Sequence, residues 1–180
     1  LNGFARCMEG KDAPRFKLEK VTGGSVSFSD LKGKGNVVIL SFFDSSCKPC
    51  IKELPLMHRV YDKYLKDSSV KIRMICLDEK KDAAEQFIKN HSVKIPVILD
   101  PGGWKAAMNY GVVKGGRAEI PQIFVIGKNG RVRKHIKGYH GDLDNTLTGI
   151  IESLKKEKVS NTSAKKSKVT LVYTNSINGH

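Results

Sequence analysis

Cys47 and Cys50 stand three residues apart, with Lys48 and Pro49 between them. Two thiols at that spacing can close a disulfide with each other or exchange one with another molecule. The pair follows a mostly apolar run, Val37–Phe43, and precedes a helical pattern. A strand end followed by a helix start puts Cys47 where free N–H groups and a partial positive charge favour a thiolate. Lys48 adds a second positive charge beside it. Cysteines so placed fall to pKa values of roughly 3.5–7.5, from a free value near 8.5. Pro49 suits a first helical turn, where its missing N–H would have no partner. Cys50, about one turn on, can attack a mixed disulfide on Cys47 and release the partner. Cys47 is therefore the expected attacking thiol and Cys50 the resolving one. The competing chemistry is half of a zinc site, which needs two more ligands. Cys7, Cys76 and five scattered histidines supply no second paired motif. No metal and no other cofactor is expected.

The elements that must hold this pair are legible on either side of it. Residues 15–20 and 25–28 read as short strands around Gly23-Gly24, a hairpin. Ser29 or Asp30 is expected to cap a brief turn ended by Gly33 to Gly35. Val37–Phe43 has the continuous apolar pattern of a strand buried on both faces. A helix is predicted over 48–65, with Ile51, Leu54, Met57, Tyr61 and Tyr64 on one apolar face. Pro55 removes one backbone hydrogen bond and is expected to kink it. A buried strand over 70–77 and an amphipathic helix over Lys81–Asn90 follow, then a short strand, Val97–Leu99. Asp100 to Gly103 reads as a turn into a short helix over 104–110. Residues 123–126 and 131–136 flank Lys128-Asn129-Gly130, a strong hairpin signal. Asp142 or Asp144 starts a last helix to about Lys156. The order β-β-β-α-β-α-β-α-β-β-α predicts an α/β fold with a mixed central sheet flanked by helices.

At 180 residues the chain fits one domain with terminal excess. The expected division is a flexible lead-in over 1–13, a domain over 14–157, and a basic Lys/Ser-rich linker or tail over 158–180. The run 169–173 with Thr174 to His180 is similar to the opening of 5′-nucleotidase-type metallophosphatases. The tail is thus compatible with the start of a truncated second domain, with Ser176 and Asn178 where Asp and His would bind metal. The formal net charge is +14. The lysines are spread rather than clustered, with no zinc-finger, aromatic RNA-binding or helix-turn-helix signal, so nucleic acid is not an expected partner. The charge reads first as a solvated basic surface, with attraction to acidic partners or an anionic membrane surface as the alternative. No apolar run approaches the roughly 20 residues of a membrane span. The first residue is Leu1 rather than Met, as expected of a processed end from which a signal or anchor has been removed.

The stretch 37–55, VVILSFFDSSCKPCIKELP, resembles the TlpA/ResA-like branch of the thioredoxin superfamily, often grouped with AhpC/TSA domains. The likeness runs over residues 13–151. It includes Ala13-Pro14-Arg15-Phe16, Ser29 to Gly33, the segment 95–111 and Ile120-Pro121. It implies a thioredoxin-like fold with an N-terminal β-hairpin and an inserted strand–helix. It also implies an extracytoplasmic thiol–disulfide oxidoreductase, for example a reductase of apocytochrome c thiols, anchored through an N-terminal segment. Its partners would be protein disulfide or dithiol substrates and an upstream electron-donor protein, and the chain would act as a monomer. The family's reactive pair falls on Cys47 and Cys50. Its active-site glutamate falls on Glu53, which spacing i, i+3 puts on the face of Cys50, where it can exchange a proton with that thiol. The bland reading of Glu53 is an acid favoured by the helix dipole.

The family's cis-proline falls on Pro121, with Pro96 the rival. The Ile120 backbone would then pair with an extended substrate segment as an added strand does. Two positions depart from the pattern. Ser46 stands where an aromatic residue often precedes the first cysteine, and Ser41 where thioredoxin has a buried acid.

Two other functions compete. A peroxiredoxin-like peroxidase shares the fold, but its Pro-x-x-x-Thr-x-x-Cys pattern meets Leu40 and Asp44 here. A non-enzymatic redox-sensing or docking module does not need the intact set Cys47, Cys50 and Glu53. Outside the site, Cys76 is expected as plain core, Cys7 as a stray terminal thiol, His58 as ordinary surface or core, and Trp104 as a packed turn anchor.

Overall fold

The computed structural model describes residues 8–159. Cys7 and the tail beyond Val159, including the run 169–173, lie outside the described residues. Along the chain come β1 (Lys17–Lys20), β2 (Ser25–Ser27), α1 (Phe28–Lys32), β3 (Val37–Phe43), α2 (Lys48–Tyr64), β4 (Val70–Cys76) and α3 (Lys81–Asn90). Then follow β5 (Val97–Leu99), β6 (Val113–Lys114), β7 (Arg117–Ala118), β8 (Gln122–Ile126), β9 (Val132–Lys137) and α4 (Leu143–Lys155). Seven strands form one sheet in the order β2-β1-β5-β4-β3-β8-β9, and β6 pairs with β7 apart from it.

The centre of the sheet explains its apolar runs. β3 is parallel to β4 and antiparallel to β8. Val37, Ile39 and Phe43 pack into a layer with Leu54, Met57, Phe87 and Ile151 of α2, α3 and α4. The alternate residues Val38, Leu40 and Phe42 pack into a second layer with Phe28, Leu31 and Tyr110. A strand covered on both faces needs apolar residues at every position, not every second one. The register Phe43↔Cys76 and Cys76↔Leu99 ends β3, β4 and β5 in one row. The start of β8 lies beside that row, with Gln122 opposite Phe42. Parallel strands ending together leave their carboxyl ends on one edge, where doubly wound sheets place their sites.

Some local expectations change. The N-cap of α1 is Ser27, the last residue of β2 and two residues before the earlier of the expected caps, in a capping box with Asp30. Residues 8–13, expected as a loose lead-in, run beside the start of β9. Gly10 N–H donates to Val132 O at 2.7 Å, and Val132 N–H to Lys11 O at 2.9 Å. Pro55 lies on the exposed side of α2, which continues through it.

The short helix expected over 104–110 is not formed. Pro101–Gly103 makes one 3-10 turn, and a chain of turns follows. Gly102 and Gly103 both take positive φ, 71° and 75°. The buried Asp100 carboxylate then accepts the N–H groups of Lys105, Ala106 and Ala107. Later bonds mix spacings: Met108 N–H to Gly103 O and Val112 N–H to Ala107 O run five residues back, Tyr110 N–H to Ala106 O four and Gly111 N–H to Met108 O three, so no continuous i→i−4 ladder forms. Trp104 is 67% exposed rather than packed. The hairpin β6–β7 around Gly115-Gly116 was not expected; two residues per strand give no usable period.

Candidate active site

Cys47 is the N-cap of α2, with extended backbone (φ −79°, ψ 101°). Its Sγ accepts the Cys50 N–H at 3.2 Å, so a donor that the helix leaves free is turned onto the sulfur. Cys47 and Cys50 are joined by a disulfide, with their Cα atoms 5.2 Å apart. The first turn of α2 carries no acidic residue to oppose a thiolate. Cys50 is buried and Cys47 is 8% exposed, while Lys48 and Pro49 lie at the surface. Cys47 is the less buried residue of the two.

The loop ahead of Cys47 is held from the neighbouring strand. Ser45 N–H and Oγ–H donate to the two oxygens of Asp78, each at 2.8 Å. The Cys76 thiol donates to Asp78 Oδ2 at 3.1 Å. Asp44 Oδ1 accepts the N–H and Oγ–H of Ser46 at 2.9 Å. Asp78 thus ties the end of β4 to the turn that presents Cys47. Sequence reasoning missed it, and the available signal was an acid placed just past a buried strand. Cys76 is fully buried in the same apolar layer as the pair, and burial pushes its thiol pKa up. Such a thiol is a poor nucleophile.

Glu53 is 2% exposed, on the inner face of α2 with Cys50, Leu54 and Met57. Its Oε2 has no hydrogen-bond partner among the described residues. Burial raises its pKa to about 8. A dipole-favoured surface acid would be exposed and shifted the other way, so the bland reading does not describe this carboxyl. Ser41 shares the parity of Ile39 and Phe43 and faces the same layer. The buried acid of this layer comes from the helix, not from the strand.

The Ile120–Pro121 peptide bond is cis. Pro121 is buried at the start of β8, next to the end of β3. Its carbonyl accepts the Gly138 N–H at 2.9 Å. Ile120 packs against the apolar layers on both sides of the sheet. Pro96, the rival proline, is exposed and not cis. His58 stands apart from this edge, accepting the Lys94 N–H at 3.2 Å, and it ties α2 to the loop after α3.

Comparison with known proteins agrees with this geometry. The AhpC/TSA family model matches residues 10–135. Thiol-disulfide oxidoreductase ResA of Bacillus thuringiensis is 38% identical over 147 residues, covering 82% of this chain and 77% of that protein. ResA of Bacillus subtilis is 38% identical over 130 residues, covering 72% and 68%. Among solved structures, a Chlorobium tepidum chain proposed to be the thiol:disulfide interchange protein DsbE has a TM-score of 0.70 at 32% identity. It covers 81% of this chain and 96% of that one. The match spans the β1–β2 hairpin, the disulfide at the cap of α2 and the start of β8. The chain therefore belongs to the AhpC/TSA family, as a thioredoxin-fold thiol–disulfide oxidoreductase of the ResA type.

Proposed function

We propose that the chain reduces disulfides in exported proteins outside the cytoplasm, apocytochrome c thiols being one substrate class. An upstream dithiol protein would recharge it, and it would work as a monomer. The Cys47 thiolate attacks one sulfur of the substrate disulfide. The substrate S–S bond breaks, a mixed disulfide forms on Cys47, and the departing thiolate takes a proton from water. Cys50 then loses its proton to the Glu53 carboxylate and attacks Cys47 Sγ. The bond from Cys47 to the substrate breaks, the second substrate thiolate leaves and is protonated, and the Cys47–Cys50 disulfide remains. Two electrons have passed to the substrate. Recharging runs the steps backwards, with Glu53 returning its proton to Cys50. The Ile120 backbone, beside Pro121, would receive the substrate as an extended segment.

The observation that carries this reading is the disulfide at a helix cap with the buried Glu53 carboxyl one turn behind it, its Oε2 without a hydrogen-bond partner among the described residues. Reduction of insulin with dithiothreitol as donor tests it. The chain should accelerate the reaction, and Cys47→Ser should return it to background. Equal rates for the two proteins would contradict the assignment.

A further inference from the structure

Among the described residues, the exposed large apolar side chains are Leu65, Trp104, Met108 and Val159. Trp104 and Met108 lie four apart on the segment that follows β5. Trp104 is 67% exposed, yet its ring has a seat. A Cβ on Gly102 would fall 2.6 Å from the indole Nε1 and 2.8 Å from Cδ1. The indole thus occupies the space that any side chain at residue 102 would need.

That seat belongs to the edge that carries Cys47. Gly102 N–H donates to Leu77 O at 3.0 Å, and Leu77 N–H donates to Phe43 O at 2.9 Å. One row of hydrogen bonds runs from beneath the indole to the strand end from which Cys47 follows. The same segment continues through β6–β7 to Ile120 and Pro121. Its exposed charges are mainly basic: Lys105, Lys114 and Arg117. Glu119 is paired with Lys137 at 3.7 Å, and the exposed Glu79 of the neighbouring loop is followed by Lys80 and Lys81.

We infer that Trp104 and Met108 form an apolar anchor for the polypeptide substrate. The anchor seats an apolar side chain flanked by acidic residues while the substrate cysteine meets Cys47. The inference rests on the protein-substrate reading above. A held, solvent-facing tryptophan has the properties of a binding hot spot: large area, few rotamers to freeze, and a rim of polar groups. The basic residues around it select the charge of the partner.

Trp104 is the one tryptophan in the chain, so its fluorescence reports this patch alone. In a Cys7→Ser, Cys50→Ser protein, Cys47 is joined either to glutathione or to a tryptophan-free peptide. That peptide carries one cysteine, one leucine and flanking aspartates. The peptide adduct should shift Trp104 emission to the blue and protect it from acrylamide, and the glutathione adduct should do neither. Separately, Trp104→Ala should lower kcat/KM for insulin about tenfold, through KM. Its rate with glutathione disulfide and its melting temperature should not change, and Trp104→Phe should recover most of the loss. Identical fluorescence in the two adducts overturns the anchor. So does an insulin rate unaffected by Trp104→Ala, or equal slowing with both substrates. A parent protein that exchanges with glutathione disulfide but with no polypeptide disulfide overturns the protein-substrate reading, and the anchor with it.

Discussion

Glu53 is a carboxyl placed where its charge is poorly solvated, and two consequences follow from that placement. The first concerns stability. An ordinary glutamate in the unfolded chain ionises near 4.5, while in the fold the group holds its proton to about 8. Between those values the folded state binds the extra proton, so stability falls as pH rises from about 4.5 to about 8 and levels off above. Glu53→Gln has no such proton. Each tenfold change in proton affinity between the folded and unfolded chain is worth about 1.4 kcal/mol. At pH 8 the oxidised variant should therefore be more stable than the parent by a few kcal/mol. The difference should vanish near pH 4. Equal denaturant midpoints at pH 8 would return Glu53 to a solvated role. The second consequence concerns rate. In the proposed mechanism the Glu53 carboxylate receives the Cys50 proton, and that carboxylate becomes populated as pH rises through about 8. Release of a model peptide from Cys47 should show an inflection there in the parent and none in Glu53→Gln. Superimposable profiles would remove Glu53 from the proton path.

At the scale of elements, the site depends on strand ends that share one edge and on the loops leaving them. Asp100 organises one of these loops by accepting three backbone N–H groups, from Lys105, Ala106 and Ala107, with distances of 2.8–3.0 Å. The side chain is fully buried. Asp100→Ala strands those donors away from water, which costs about 1–3 kcal/mol for each group left unsatisfied. Relaxation of the loop will recover part of this. A loss of at least about 2 kcal/mol in urea denaturation is expected, and a loss below about 0.5 kcal/mol would mean that the turn stands without its carboxylate. This loop is also where sequence and structure part. The runs Val37–Phe43 and 70–77 announce buried strands because both faces are covered, and the Cys-Lys-Pro-Cys spacing announces the helix start. By contrast, 104–110 carries a helical period that loses to a local alternative. Consecutive positive-φ glycines and the Asp100 acceptor take the N–H groups first. Asp78 was hidden for a different reason: its partner Ser45 is distant in sequence, and nothing local encodes a link from β4 to the Cys47 turn. The burial of Glu53 was half legible. Its spacing placed it on the face of Cys50, but only the packing of α2 on the sheet shows that no partner reaches Oε2.

At the scale of the whole molecule, the chain near residue 157 is tied back to the β8–β9 hairpin. Arg133 pairs with the Glu157 carboxylate, and Lys128 Nζ donates to the carbonyls of Lys155 and Glu157. A chain cut to 8–159 keeps these ties and both apolar layers. Its melting temperature should lie within about 2 °C of the full chain, since 1 kcal/mol moves a domain of this size by about 2–4 °C. A drop of about 5 °C or more would show that residues outside this range pack on the domain. The fold as a whole does one thing for the chemistry. It sets Cys47 at a helix cap, Cys50 one turn on, and the buried Glu53 carboxyl on the same helix face, where the proposed mechanism needs a proton acceptor. Capture of the mixed disulfide tests that arrangement most directly. Cys50→Ser protein in a Cys7→Ser background is incubated with an oxidised cysteine peptide, and the adduct is mapped by mass spectrometry. One peptide joined to Cys47, stable until dithiothreitol is added and absent from Cys47→Ser, is the predicted result. An adduct on Cys76, or ready capture at Cys50 when Cys47 is replaced but none at Cys47 when Cys50 is replaced, would contradict the account.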